Sequence, residues 1–296
     1  NNSGMSFTNT AAGTLTVSSA TTMSGSITLN GISNFLNNLT FTTSNGSTNV
    51  TTSGNSSVTV GGTLSLSRNS NYNVTNPSSI SPGPIIRANN LIFPNDGGAS
   101  PRQLNIGANT SVIVTQDTNV DSGTAQINLT GSLQTRDLLI GNNGGASPTR
   151  LVMNGNSQLT VNRDAIINRE IAASGNSQIN INRNLTLQNV TNNSLTISGN
   201  TSLNVGGITT LNKPMYLSGT SSVNLNSLTI PNTGSELVIN DNVTFFVSGT
   251  TNINSPVRIN NNAIVTFASN VNMSNNGSSQ LITNNNADVL ITGSLT

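Results

Sequence analysis

The sequence predicts an all-β protein: a right-handed, three-sided parallel β-helix (β-solenoid) of about 13–14 rungs, each of 20–24 residues. Three observations carry this. Apolar and small polar residues alternate in short bursts, the bursts repeat at one rung's length, and charge is almost absent.

The bursts have the form apolar, small polar, apolar. Leu15-Thr16-Val17, Ile27-Thr28-Leu29, Val58-Thr59-Val60, Leu64-Ser65-Leu66, Ile127-Asn128-Leu129, Ile179-Asn180-Ile181 and Leu185-Thr186-Leu187 are examples. Period two with one apolar face is a strand half-buried against a core. Gly-Asn, Ser-Gly and Asn-Asn pairs separate the bursts, and these residues tolerate the positive φ of tight turns. No amphipathic helical pattern interrupts them.

From Leu195 onward the bursts come in threes, at Leu195, Leu203 and Thr209, then at Met215, Val223 and Leu228. The corners repeat as well: Gly155-Asn156-Ser157-Gln158-Leu159, Gly175-Asn176-Ser177-Gln178-Ile179, Gly199-Asn200-Thr201-Ser202-Leu203 and Gly219-Thr220-Ser221-Ser222-Val223. A single rung cannot bury its apolar residues, whereas stacked rungs share a continuous core. The right hand follows from the general handedness of parallel crossovers. Stacked asparagine amides are expected to form hydrogen-bonded ladders.

A second repeat, Gly97-Gly98-Ala99-Ser100-Pro101, recurs as Gly144-Gly145-Ala146-Ser147-Pro148. It predicts two protrusions from one edge, two layers apart. Residues Gly97, Gly98, Ser100, Pro101, Gly144, Gly145, Ser147 and Pro148 are the candidate lateral contact. Pro77, Pro82, Pro84, Pro94 and Pro101 predict an irregular excursion around 77–101. The chain reads as one domain, 1–296.

Leu138-Leu139-Ile140-Gly141-Asn142-Asn143-Gly144-Gly145, followed by Leu151-Val152-Met153-Asn154-Gly155-Asn156-Ser157, resembles the repeats of autotransporter-type passenger domains and related bacterial surface β-solenoids of the filamentous adhesin type. The resemblance implies a secreted β-helical adhesin or fibre, located outside the cell or on its surface.

Ten cations, nine acids and a net charge of +1 give no basic footprint for nucleic acid or anionic lipid. The absence of cysteine excludes disulfides, thiolate metal sites and cysteine catalysis. No apolar run is long enough for membrane insertion as a helix. The first residues show neither an initiator Met nor a signal peptide, so the chain reads as processed or excised.

Histidine, the commonest general base, is absent. A polysaccharide hydrolase needs carboxylates gathered on one face. Asp117 with Asp121, and Asp164 with Glu170 beside Arg163 and Arg169, are the nearest acidic neighbours. No pair of acids is expected to stack at a rung offset, and the second group reads as surface ion pairs. The expectation is no enzyme, no catalytic residue, no metal and no cofactor. The calcium β-roll nonapeptide is absent, Thr-x-Thr does not recur at every rung as an ice-binding array would, and the frequent sequons follow from composition. The seven Phe read as core fillers.

Open solenoid ends are unpaired strand edges. Leu15 and Val17 at one end, and Val289, Ile291 and Leu295 at the other, are the candidate polymerisation interface. The expected function is a structural subunit of an extracellular filament, its partner another copy joined head to tail. The alternatives are an adhesin rod displaying loops to surface glycans or other cells, and a polysaccharide-active enzyme or phage-type spike.

Overall fold

The computed structural model describes residues 6–42, 46–76, 83–95, 102–122, 124–141, 150–188, 195–231, 234–274 and 277–296. The chain forms two compact units. One comprises Asn1–Val152 with Asn156–Thr160, the other Met153–Gly155 with Val161–Thr296.

The first unit is a stack of parallel coils. One sheet runs through Ser6–Asn9, Ser26–Leu29, Thr48–Ser53, Ser70–Thr75, Arg102–Ile106 and Ala125–Leu129, each strand bonded to the equivalent strand of the next coil. The rest of each coil supplies two further short strands, or one long strand that serves both positions, as in Ser57–Leu66 and Ile85–Phe93. The second unit repeats this plan. Its first sheet holds Glu170–Ala173, Leu195–Ile197, Met215–Leu217, Leu237–Ile239, Pro256–Ile259 and Gln280–Thr283. Among the described residues there is no helix. Both units are parallel β-solenoids. With Arg150–Met153, the strands that open a coil number 13 among the described residues, against the expected 13–14 rungs. Coil length varies: 32 residues separate Ser70 from Arg102.

Ile85–Phe93 corrects the middle of the irregular excursion expected around 77–101, whose residues 77–82 and 96–101 lie outside the described residues. It is a nine-residue strand, paired with 57–66 on one side and with 111–114 and 117–120 on the other. Pro84 and Pro94 flank the strand, where a missing N–H donor costs no ladder bond.

Register explains the core. A parallel stack without slippage places the same inward position of each coil over the last. Leu203, Val223, Phe245 and Val265 form one column; Val205, Leu225, Val247 and Phe267 form the next. All eight are buried, and each such side chain contributes about 1.5–3 kcal/mol relative to exposure. A one-residue slip would turn every one of them outward.

The corners are equally repetitive. Gly155, Gly175, Gly199 and Gly219 stack with φ of 66°, 74°, 68° and 75°. A Cβ on Gly199 would lie 2.9 Å from the backbone N and O of Gly175, so this left-handed corner has no room for a side chain. Buried hydroxyls close the same turns. Ser177, Thr201 and Ser221 donate to the carbonyl three residues back at 2.6, 2.7 and 2.7 Å.

Five of the Phe are buried, including the edge-to-face pair Phe245 and Phe267, with centroids 6.3 Å apart. Phe7 is only partly covered, and Phe246 points outward, 36% exposed. Phe246 therefore corrects the core assignment: neighbours along a strand face opposite ways, and Phe245 occupies the inward position.

Tyr72 lies wholly inside the first unit, against Phe41 at 5.4 Å and hydrogen-bonded to Thr52 Oγ1 at 2.9 Å. Burial pushes its phenol well above the ordinary value of 10.0, and the Thr52 bond opposes the shift only in part. The folded value exceeds the unfolded one, so this contribution to stability is complete below about pH 10 and is lost as the pH rises beyond it. Tyr72→Phe should cost about 1 kcal/mol at neutral pH by stranding the Thr52 hydroxyl. It should also flatten the fall in stability above pH 10, as read by urea unfolding across that range.

Candidate functional site

Acidic residues come first, because any hydrolytic chemistry would need them. Asp117 and Asp137 are direct register partners on adjacent parallel strands. This corrects the expectation that no two acids stack. Their spacing of one coil was obscured because each opens a different short burst. Arg136 bridges the pair, Nη2 to Asp117 Oδ1 at 2.8 Å and Nε to Asp137 Oδ2 at 3.1 Å, and also reaches the Gln116 side chain. Both carboxylates thus already accept hydrogen bonds from a guanidinium that fills the space between them. In the second acidic group Asp164 takes part in an ion pair. Asp164 meets Arg183 of the following coil at 3.8 Å and accepts from the backbone and side-chain nitrogens of Asn184 at 3.1 and 2.9 Å. Among the described residues no three His, Cys, Asp or Glu gather as a metal site.

Arg102 was not anticipated from sequence. It is 1% exposed and donates to Ser122 Oγ at 2.5 Å and Thr124 Oγ1 at 2.8 Å. Desolvation lowers its pKa, and repulsion from Arg68 lowers it further. An arginine directly after a proline in the sequence looks like surface; only the inward phase of the strand Arg102–Ile106 reveals otherwise.

The asparagine ladders occur as expected. Asn224 donates to Asn204 at 3.0 Å, and Asn204 to Asn180 at 2.9 Å. Three more ladders run side by side at one corner: Asn284 to Asn260 to Asn240 at 2.8 Å each, Asn285 to Asn261 to Asp241 at 3.0 and 3.2 Å, and Asn286 to Asn262 to Asn242 at 3.4 and 3.2 Å. Asp241 sets the direction of the middle ladder. Its carboxylate can only accept, and it takes the Gly219 N–H at 3.0 Å as well as the Asn261 amide. Each amide above must then point its nitrogen back and its oxygen forward. Asn128, Asn184 and Asn242, all sequon residues, spend their side chains in such bonds.

The five residues that the sequence singles out as a polymerisation interface fall in the first and last described coils. Val289 and Ile291 stack directly over Val265 and Phe267. The lower pair is fully buried, whereas the upper pair is partly exposed. Leu295 bridges Val271 and is 56% exposed. Leu15 and Val17 stack against Ser33 and Phe35 and are partly exposed, while those partners are buried. The eight Gly, Ser and Pro residues of the proposed lateral contact lie outside the described residues.

Neither a protein-family model, a curated protein nor a solved structure matches this sequence.

A like charge inserted into the central ladder should be felt at once. Asn261→Asp would set a second carboxylate against Asp241 and remove its amide donor. We expect a loss of about 1 kcal/mol at pH 7 that is largely recovered near pH 3, read as a pH-dependent shift in thermal midpoint against the parent chain.

Proposed function

We propose that this chain is a non-enzymatic structural subunit of an extracellular filament or surface fibre, assembled head to tail through the end coils of its β-solenoid. One observation carries the reading: among the described residues, the first and last coils leave inward residues partly bare beside strand edges with almost no charge or proline. Proteins that stay monomeric blunt exposed edges with lysine, proline or other charge. Here the first charged residue is Arg68 and the first proline Pro77. Beyond Arg258 the only charge is Asp288, and proline is absent. The remaining charges are concentrated away from both edges, as in the Arg136 bridge and the Arg258–Glu236 pair at 2.5 Å.

The contact is heterologous, joining one surface to a different one, so it propagates as a fibre unless a rotation closes it. Backbone ladders provide the affinity, as in strand addition generally. The autotransporter-like repeat pattern supports placing the fibre outside the cell, as does the lack of cysteine. The bridged state of Asp117 and Asp137 supports the non-enzymatic part.

Negative-stain microscopy of the purified chain should show unbranched fibres that lengthen with concentration. Leu15→Lys should abolish them while leaving the β-sheet circular dichroism unchanged, because it puts a charge on the bare edge. Short particles at every concentration would overturn the reading.

A further inference from the structure

Resting on the filament reading, we infer that the joint has a defined register: residues 6–23 of one copy stack directly over 280–296 of the next, Ser6 on Gln280 through Val17 on Ile291, with Thr21 on Leu295. Three independent features lead to this pairing.

The first is length. Ser6–Asn9 and Thr14–Val17 are four-residue strands separated by four residues, and so are Gln280–Thr283 and Asp288–Ile291. Thr21 then opens the third strand four residues after Val17, as Leu295 forms its bridge four residues after Ile291. The two coils match in length without insertion.

The second is phase. In this register the inward residues Phe7, Leu15 and Val17 fall on Leu281, Val289 and Ile291, each partly exposed in the single chain. The outward residues Thr8, Thr14 and Thr16 fall on Ile282, Asp288 and Leu290. No like charges meet, and the Thr14 hydroxyl faces the Asp288 carboxylate.

The third is polarity. The amides run the same way in all three ladders, the middle one anchored by Asp241, which leaves the Oδ1 atoms of Asn284, Asn285 and Asn286 as their forward ends. The incoming corner is Thr10-Ala11-Ala12. Thr10 sits over Asn284 and donates its hydroxyl, while the two alanines are small enough to let the corners close. The chain contains this cap already: Thr296 Oγ1 donates to Asn272 Oδ1 at 3.1 Å, at the end of the Asn252–Asn272 ladder.

The absence of native cysteine makes the register directly testable. Thr16→Cys with Leu290→Cys places two thiols on facing outward positions, within the separation a disulfide spans. Thr16→Cys with Asp288→Cys shifts one of them by two residues on the same face. The Cα atoms are then about 8 Å apart, beyond disulfide reach. On mild oxidation the matched pair should give a covalent ladder of multimers on denaturing gels, with the offset pair about tenfold slower. Should the matched variant not assemble, Thr8→Cys with Ile282→Cys tests the same register on the other sheet. Fibres without cross-links from either matched pair, or with equal cross-linking of the offset pair, would overturn the register and leave the filament reading standing. Absence of fibres for the parent chain, together with absence of cross-links, would overturn both.

Discussion

A coil of parallel β-structure cannot satisfy its own backbone. Every strand N–H and C=O points along the stacking axis and must find its partner in the coil before or after, and a buried backbone group left unpaired costs as much as a lost hydrogen bond. The rest of the structure depends on this constraint. It forces each coil to repeat the spacing of its neighbour, and that repetition makes like residues stack. The column Leu203–Val223–Phe245–Val265 and the glycine corner 155–175–199–219 are two results of the same requirement.

Stacking of like on like also explains the composition. Identical charges about 4.8 Å apart repel, whereas identical amides bond, because each carries a donor and an acceptor. Asparagine therefore replaces charge on the outer corners, and acids such as Asp241 and Asp164 are tolerated where a backbone N–H and an amide both donate to them. Where two acids do stack, at Asp117 and Asp137, an arginine stands between them. The low charge content is thus a consequence of stacking like on like.

The solenoid was legible in the sequence because its two signals are local: alternation within a burst, and turn residues between bursts. The Gly-Asn-Ser corners could be read directly, since positive φ needs glycine or asparagine. What could not be read were features set by phase across coils. Phe246 and Phe245 are adjacent and chemically identical, and only the pleat assigns one to the core. Arg102 is buried because its strand begins on an inward position. Ile85–Phe93 was hidden by the prolines at its two ends. Leu15, Val17, Val289, Ile291 and Leu295 are partly or largely exposed in the first and last described coils, and their role in assembly is a proposal. The Gly-Gly-Ala-Ser-Pro repeats remain a feature of the sequence alone.

Hydrogen exchange followed by mass spectrometry, on the dispersed chain and on assembled material, tests the central claim most directly. In the dispersed chain, amides of residues 6–23 and 280–296 should exchange fastest, because among the described residues these coils pair with another coil on one side only, while the coils around 195–267 remain protected. On assembly, protection of both end segments should rise to the level of the interior. End segments already protected in the dispersed chain, or unchanged between the two states, would contradict the account.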